Sequence, residues 1–184
     1  TNTQDITGEV LEQQTVNVSQ PQLEQVLETF IGPQQQIPPM YSAVKIGGKK
    51  LYELARKGQN VERKPRNIVI RELELQRFDG KTAQLRVVCS KGTYIRTLCH
   101  DIGAALGVGG CLLSLRRTRA GRFSLADCVT LEEIQQAREQ GNHMALLRPV
   151  DSLFACYPAL YLGEKETLRC KNGAENAIPG MPDG

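Results

Sequence analysis

No apolar run in this 184-residue chain reaches the roughly 18–20 residues that a membrane-spanning helix requires. The opening residues Thr1-Asn2-Thr3-Gln4-Asp5 are polar rather than signal-like, so a cytoplasmic protein is expected. Metal-ligand spacing is missing as well. The six cysteines (Cys89, Cys99, Cys111, Cys128, Cys156, Cys170) are scattered without a C-x-x-C pair, and there are only two histidines. No metal site is expected, and the thiols read as small, reduced, partly buried side chains. No internal repeat or low-complexity tract occurs. The net charge is only +3, too small for bulk electrostatics to separate a nucleic-acid binder from an ordinary basic enzyme.

What is present is a composition of 40% hydrophobic and 23% charged residues, enough for one substantial core or one core plus part of a second. The charge is unevenly placed. Lys45, Lys49, Lys50, Arg56, Lys57, Arg63, Lys64, Arg66 and Arg71 crowd one stretch, where Glu53, Glu62 and Glu72 compensate only in part. That stretch is a candidate polyanion surface.

Periodicity and turn chemistry give a coarse map. Ser19-x-x-Gln22 resembles a capping box opening a helix that runs to about Phe30, with Leu23, Val26, Leu27 and Phe30 as its apolar stripe and Gly32-Pro33 as its stop. Pro38-Pro39 forces an extended backbone, Gly47-Gly48 supplies a turn, and a short helix spans Lys50 to about Lys57. Asn67 to Phe78 and Ala83 to Cys89 read as a hairpin around Asp79-Gly80. A helix follows with Ile95, Leu98, Ile102, Ala105 and Leu106 on one face, ended by Gly107 and Gly109-Gly110. Cys111 to Thr118 reads as a strand, and Thr130-x-x-Glu133 caps a helix through about Arg138. After Pro149 the pattern becomes short and strand-like, which places a domain boundary near residues 146–150. The fold class is α+β: a mixed or antiparallel sheet with packed helices, followed by the start of a small β-rich module.

The segment Ser90-Lys91-Gly92-Thr93-Tyr94-Ile95-Arg96-Thr97 sets a glycine, hydroxyls, a lysine and an arginine where a strand hands over to a helix. Such a junction leaves backbone N–H groups free, and Lys91 or Arg96 can add donors for a phosphate or carboxylate. Tyr94 and Arg96 would diverge by about 200° on a regular helix. Serving one pocket would require an irregular turn.

Four stretches together resemble the TruB family of bacterial tRNA pseudouridine synthases: Gln36 to Lys45 (QIPPMYSAVK), Gly48 to Gly58, Ser90 to Leu98, and Leu115-Arg116-Arg117-Thr118 with Gly121-Arg122-Phe123. The resemblance covers residues 1 to about 150 well. It makes 1–147 a partial catalytic domain, 36–66 a thumb-like RNA-binding insertion, and 148–184 the beginning of a C-terminal PUA-like module. The implied activity is isomerisation of uridine 55 in the T loop of tRNA, by a monomer, without cofactor or metal; the target base must first leave its stack.

Carried over by motif, Arg96 matches the arginine that holds the family's nucleophilic aspartate, since its fork is bidentate toward a carboxylate. Tyr94 matches a second active-site tyrosine. Leu115 matches a residue lining the base pocket, Lys91 a phosphate or pocket contact, and Lys45, Lys49 and Arg56 the basic surface of the insertion, suited to positioning RNA by its phosphates. The family's G-x-x-D nucleophile motif and base-stacking tyrosine match positions before Thr1. Neither Asp5, which matches a position past that motif, nor Asp101, roughly 500° around the helix from Arg96, is assigned as nucleophile. The chain is accordingly expected to be inactive alone, and marginally stable for want of neighbouring strands. A non-catalytic T-arm RNA-binding module is the alternative. An RNA-guided archaeal or eukaryotic synthase would share the core but fits the short spacing and the Leu115 to Phe123 stretch less well.

Overall fold

The computed structural model describes residues 1–173. They fall in two compact units, Thr1–Arg117 and Thr118–Gly184, the second described as far as residue 173.

In the first unit, helix α1 (Gln20–Thr29) starts where the sequence places it. The Gln22 Oε1 accepts from both the backbone N–H of Ser19, at 2.9 Å, and its hydroxyl, at 2.8 Å. Gly32-Pro33, read as its stop, follows the helix end and also opens strand β1 (Gly32–Gln36). Proline is tolerated there because β1 is an edge strand, paired antiparallel with β4 (Arg66–Phe78) from Gly32↔Ile70 to Gln36↔Arg66. Between them lie the two-residue strands β2 (Lys45–Ile46) and β3 (Lys49–Lys50), a hairpin of their own, and helix α2 (Leu51–Ala55). β5 (Ala83–Cys89) completes a three-stranded sheet of order β1-β4-β5. The hairpin turn is built by Asp79, whose carboxylate accepts the N–H groups of Lys81 and Thr82 at 3.0 and 2.7 Å. Those bonds hold its carboxyl below the ordinary value.

The burial of β4 shows how the sheet makes a core. Ile68 and Ile70 point inward, then Leu73 does, with Leu75 packed beside them, so the alternation slips by one residue. A register shift between Ile70 and Glu72 absorbs the slip, leaving Arg71 as the extra residue of a bulge. Against this face pack Leu23 and Leu27 of α1 and Leu98 and Ile102 of α3 (Ile95–Ala105). The helices thus cover one face of the sheet, as the apolar stripes require.

Asp101 sits half-buried on α3, where loss of water raises its carboxyl pKa and the neighbouring His100 opposes the shift. A carboxyl raised on folding stabilises the native state below its unfolded value and costs stability as pH rises through its folded value. Asp101→Asn is therefore expected to raise the urea midpoint at pH 7 relative to the parent, and to leave it unchanged near pH 3. Equal effects at both values would contradict this origin.

Cys111 to Thr118, read as a strand, forms among the described residues one isolated parallel bridge, Asp5↔Leu112. Ile6 donates to the Leu112 carbonyl at 2.8 Å and Leu112 to the Gln4 carbonyl at 3.0 Å. Leu113 and Leu115 beyond it are exposed. A β-prone run without a neighbouring strand remains a bridge and a coil.

The second unit holds the two-residue strands β6 (Arg119–Ala120) and β7 (Phe123–Ser124), helix α4 (Leu131–Glu139), short 3₁₀ turns at Leu125–Asp127, His143–Leu146 and Val150–Phe154, and helix α5 (Glu164–Lys171). Thr130 caps α4 as its sequence predicts, accepting from Glu133 N–H while the Glu133 carboxylate accepts from Thr130 N–H. None of its described side chains is buried. Local bonds set its shape: Arg148 pairs with Asp127 at 3.0 Å, Arg122 donates to the Ser152 carbonyl, and both guanidinium groups lie over the Phe123 ring. The composition change near residues 146–150 thus falls inside this unit. The strand-like pattern after Pro149 forms no strand among the described residues: a 3₁₀ turn and α5 occupy it. Residues 174–184 of the expected β-rich module lie outside the described residues.

Candidate active site

The strand-to-helix junction that carries the Ser90–Thr97 motif is irregular. Tyr94 is extended (φ −94°, ψ 106°) and α3 begins only at Ile95, so the 200° divergence of a regular helix does not apply. Gly92 takes φ +84°, a left-handed conformation that disfavours a side chain, and lets the chain turn. Two of the motif's hydroxyls, those of Ser90 and Thr93, are engaged by the protein itself. Ser90 Oγ accepts from Val69 N–H at 2.9 Å, and Thr93 Oγ1 donates to the Ser90 carbonyl at 3.0 Å.

Arg96, in the first turn of α3, is the centre of the arrangement. Its Nη2 donates to the Tyr41 carbonyl at 2.8 Å and its Nη1 to the Thr3 carbonyl at 3.4 Å. The adjoining Thr97 hydroxyl, on a buried residue, donates to Gln4 Oε1 at 2.8 Å. Three segments distant in sequence, 3–5, 36–41 and 94–97, therefore meet around one guanidinium. Two neutral carbonyls orient the cation without cancelling its charge. No ion pair joins Arg96 to a carboxylate among the described residues.

Asp5 feels that charge. Its carboxyl is held below the ordinary value first by the Thr7 backbone N–H, at 3.1 Å, then by the Thr7 hydroxyl, at 2.8 Å, with Arg96 contributing less. The bonds to Thr7 close a local turn, which accounts for Asp5 without a catalytic role.

The other expected residues are more dispersed. Lys91, Lys45 and Lys49 are exposed and make no side-chain hydrogen bond or ion pair among the described residues. Register places Lys45 opposite Lys50 and Ile46 opposite Lys49, so the β2–β3 hairpin concentrates like charge on a small surface. Such a surface repels itself and favours an anion. Lys50 and Arg56 flank the Tyr52 ring at 5.5 and 5.4 Å from its centroid, a basic and aromatic cluster suited to nucleic acid. Leu115 is 59% exposed in the coil after the Leu112 bridge, and no hydrogen bond ties it to Arg96.

Gln36 was missed by sequence reading. Although 4% exposed, it sits in the run Gln34-Gln35-Gln36, where nothing marks one amide as buried. Tyr41 was quoted only as part of a motif, and its contribution is a backbone carbonyl, invisible to side-chain patterns. The thiols stand apart from this chemistry: burial, with a lesser effect of Cys111, pushes the Cys99 thiol up to about 11. Among the described residues no group of His, Cys, Asp or Glu could hold a metal, and no helix is long and apolar enough to cross a membrane.

Comparison with known proteins identifies the family. A family model described as TruB family pseudouridylate synthase (N terminal domain) matches residues 1–95, and one described as tRNA pseudouridylate synthase B C-terminal domain matches residues 96–155. A tRNA pseudouridine synthase B of Pseudomonas fluorescens (strain Pf0-1) is 48% identical over 185 residues, covering 99% of this chain and 61% of its own length. The protein of that name from Geobacillus thermodenitrificans is 43% identical over 189 residues, covering 98% and 63%. Among solved structures, a crystal structure of a Cbf5-Nop10-Gar1 complex aligns with TM-score 0.57 and 31% identity, over 72% of this chain and 38% of that one. The chain belongs to the TruB family of pseudouridylate synthases. It spans about three-fifths of the length of the curated relatives it matches, 61% for the first.

Proposed function

We propose that the whole protein isomerises uridine 55 in the T loop of tRNA to pseudouridine, and that this stretch of it supplies the arginine that holds the nucleophile. The supporting observation is the Arg96 guanidinium, fixed by the Tyr41 and Thr3 carbonyls and unpaired with any carboxylate among the described residues. In the proposed reaction an aspartate attacks the target nucleoside, the N-glycosidic bond breaks, the uracil turns, and a C–C bond forms from C5; C5 then gives up its proton, N1 takes one up, and the aspartate leaves as the free carboxylate. Arg96 orients that aspartate and keeps it ionised. The family resemblance supports a nucleophile other than Asp5 or Asp101, supplied by the whole protein. Tyr94 is the second active-site tyrosine, Leu115 lines the base pocket, and Lys91 contacts a phosphate or the pocket. The reaction as proposed is redox-neutral and uses side chains alone.

Residues 36–66 are assigned the thumb-like role, with Lys45, Lys49 and Arg56 contacting T-arm phosphates. The like-charged hairpin and the Tyr52 cluster support it. The PUA-like assignment of 148–184 rests on the resemblance. Release of tritium from C5-labelled uridine in tRNA by the full-length protein tests the reaction. Tight T-arm binding with no release would favour a non-catalytic binding module instead. For the basic hairpin, Lys45→Ala with Lys49→Ala is expected to weaken tRNA binding and to reduce the slope of log affinity against log salt by about 1.5. A slope unchanged within error would remove these lysines from the phosphate contacts.

A further inference from the structure

We propose that Gln36 is a positioning residue that fixes the backbone leading into Arg96 and makes the 36–66 insertion and the active-site arginine move as one body. The turnover part of this proposal rests on the isomerase reading given above; the geometry does not.

Gln36 is the last residue of β1, at the point where the chain leaves the sheet to form the insertion. A buried primary amide needs partners for both its halves. Gln36 finds both on one residue: its Oε1 accepts from Tyr94 N–H at 2.8 Å, and its Nε2 donates to the Tyr94 carbonyl at 3.1 Å. Tyr94 is the N-cap of α3 and its own side chain makes no capping bond. The Gln36 Oε1 accepts the N-cap N–H, the bond that the N3 side chain makes in a capping box, and the amide thereby holds the extended residue from which the first helical turn, and Arg96 with it, departs.

The same segment then reaches Arg96 directly. Five residues after Gln36, the Tyr41 carbonyl accepts from Arg96 Nη2 at 2.8 Å. In between, the Pro38 carbonyl accepts from Arg63 Nη1 at 3.1 Å, which ties the outgoing arm of the insertion to its return. Immediately beyond, the Ser42 and Val44 carbonyls accept the N–H groups of Tyr52 and Leu51 at 3.1 and 2.8 Å, at the start of α2. A continuous set of bonds runs from Arg96 through residues 41–44 to the helix that bears Tyr52 and ends at Arg56 as its C-cap. Displacing the insertion displaces the acceptor of Arg96, while Gln36 keeps the other end of the linkage fixed. Anion binding on the insertion thereby biases the placement of the guanidinium.

Physical continuity needs a coupling measurement. Three variants of the full-length protein provide it. Gln36→Leu removes both bonds and is expected to lower the single-turnover rate about tenfold or more, with tRNA affinity within about threefold, at a temperature well below its unfolding midpoint. Gln36→Glu keeps the shape. Its carboxylate accepts from Tyr94 N–H but repels the Tyr94 carbonyl, whereas the protonated acid restores the donor, and burial raises its pKa. Its rate relative to the parent is expected to recover as pH falls from 8 to 6. In an Arg96→Lys background, Gln36→Leu is expected to cost less than about threefold, because both changes act on one group.

An amide important only for stability would shift the unfolding midpoint, leave the relative pH profile flat and give independent losses; that result overturns the proposal. Hydrogen exchange supplies an arm free of activity. In Gln36→Leu, or in Gln36→Glu at pH 8 should the leucine variant not fold, the Tyr94 amide is expected to exchange about tenfold faster while the Leu98 and Ile102 amides stay protected. If the parent releases no tritium, the isomerase reading falls, and unchanged protection at Tyr94 would then overturn the positioning role by itself.

Discussion

Arg96→Lys is expected to lower single-turnover pseudouridine formation by about 10²–10³-fold while tRNA affinity changes little. The reason lies in the number and direction of donors. The guanidinium uses Nη2 for Tyr41 and Nη1 for Thr3, and still offers N–H groups in the same plane for a carboxylate. An ammonium is a point charge with three rotating donors. It retains the attraction for an anion, and loses the fixed direction in which a nucleophile has to be held. Alanine would be the poorer test, because it also strands two carbonyls and adds a folding penalty to the chemical one. A lysine variant that turns over at the parent's rate, in the presence of tight tRNA binding, would show that Arg96 contributes charge or structure and no orientation.

How much of this was readable beforehand depended on whether the signal was local. The α1 capping box, the Asp79-Gly80 turn, the apolar face of α3 and the Thr130 cap are short-range patterns, and all four appear where expected, save that Ala105 of the α3 face is exposed. β1 does not have such a pattern. Gly32-Pro33-Gln34-Gln35-Gln36 has no alternation of apolar residues, and its strand character comes from pairing with Arg66–Ile70, far along the sequence. The Cys111–Thr118 run shows the converse: strand propensity without a partner yields one bridge at Leu112. The site divides similarly. Arg96 and Tyr94 were singled out because a motif marks them, and the structure sets them at the start of α3. The groups that orient Arg96 are the main-chain carbonyls of Thr3 and Tyr41, which any residue could supply. Only the fold shows which positions do so.

Gly103→Ala is expected to destabilise the first unit by about 3 kcal/mol, through overpacking against main chain. Glycine lies there for space, not for a left-handed conformation. A Cβ at Gly103 would stand 2.3 Å from both the carbonyl carbon and oxygen of Gly109, and 2.4 Å from the Gly110 nitrogen. No rotamer change relieves a contact with backbone. The loop also bonds to the helix here, since the N–H groups of Val108 and Gly109 both donate to the Gly103 carbonyl at 3.2 and 3.0 Å. Pushing the 107–110 turn away shifts Leu112, and with it the bridge to residues 4–6. Thr3 and Gln4, which contact Arg96 and Thr97, follow. The substitution should therefore lower the urea midpoint and, in the folded fraction, also reduce turnover. Ala104→Gly, one position along the same helix and without that close approach, is expected to cost only about 1 kcal/mol, by helix propensity. If the two variants lose equal stability, helix propensity rather than the Gly103–Gly109 contact governs this turn, and the route from α3 to the N-terminal carbonyls is not under packing strain.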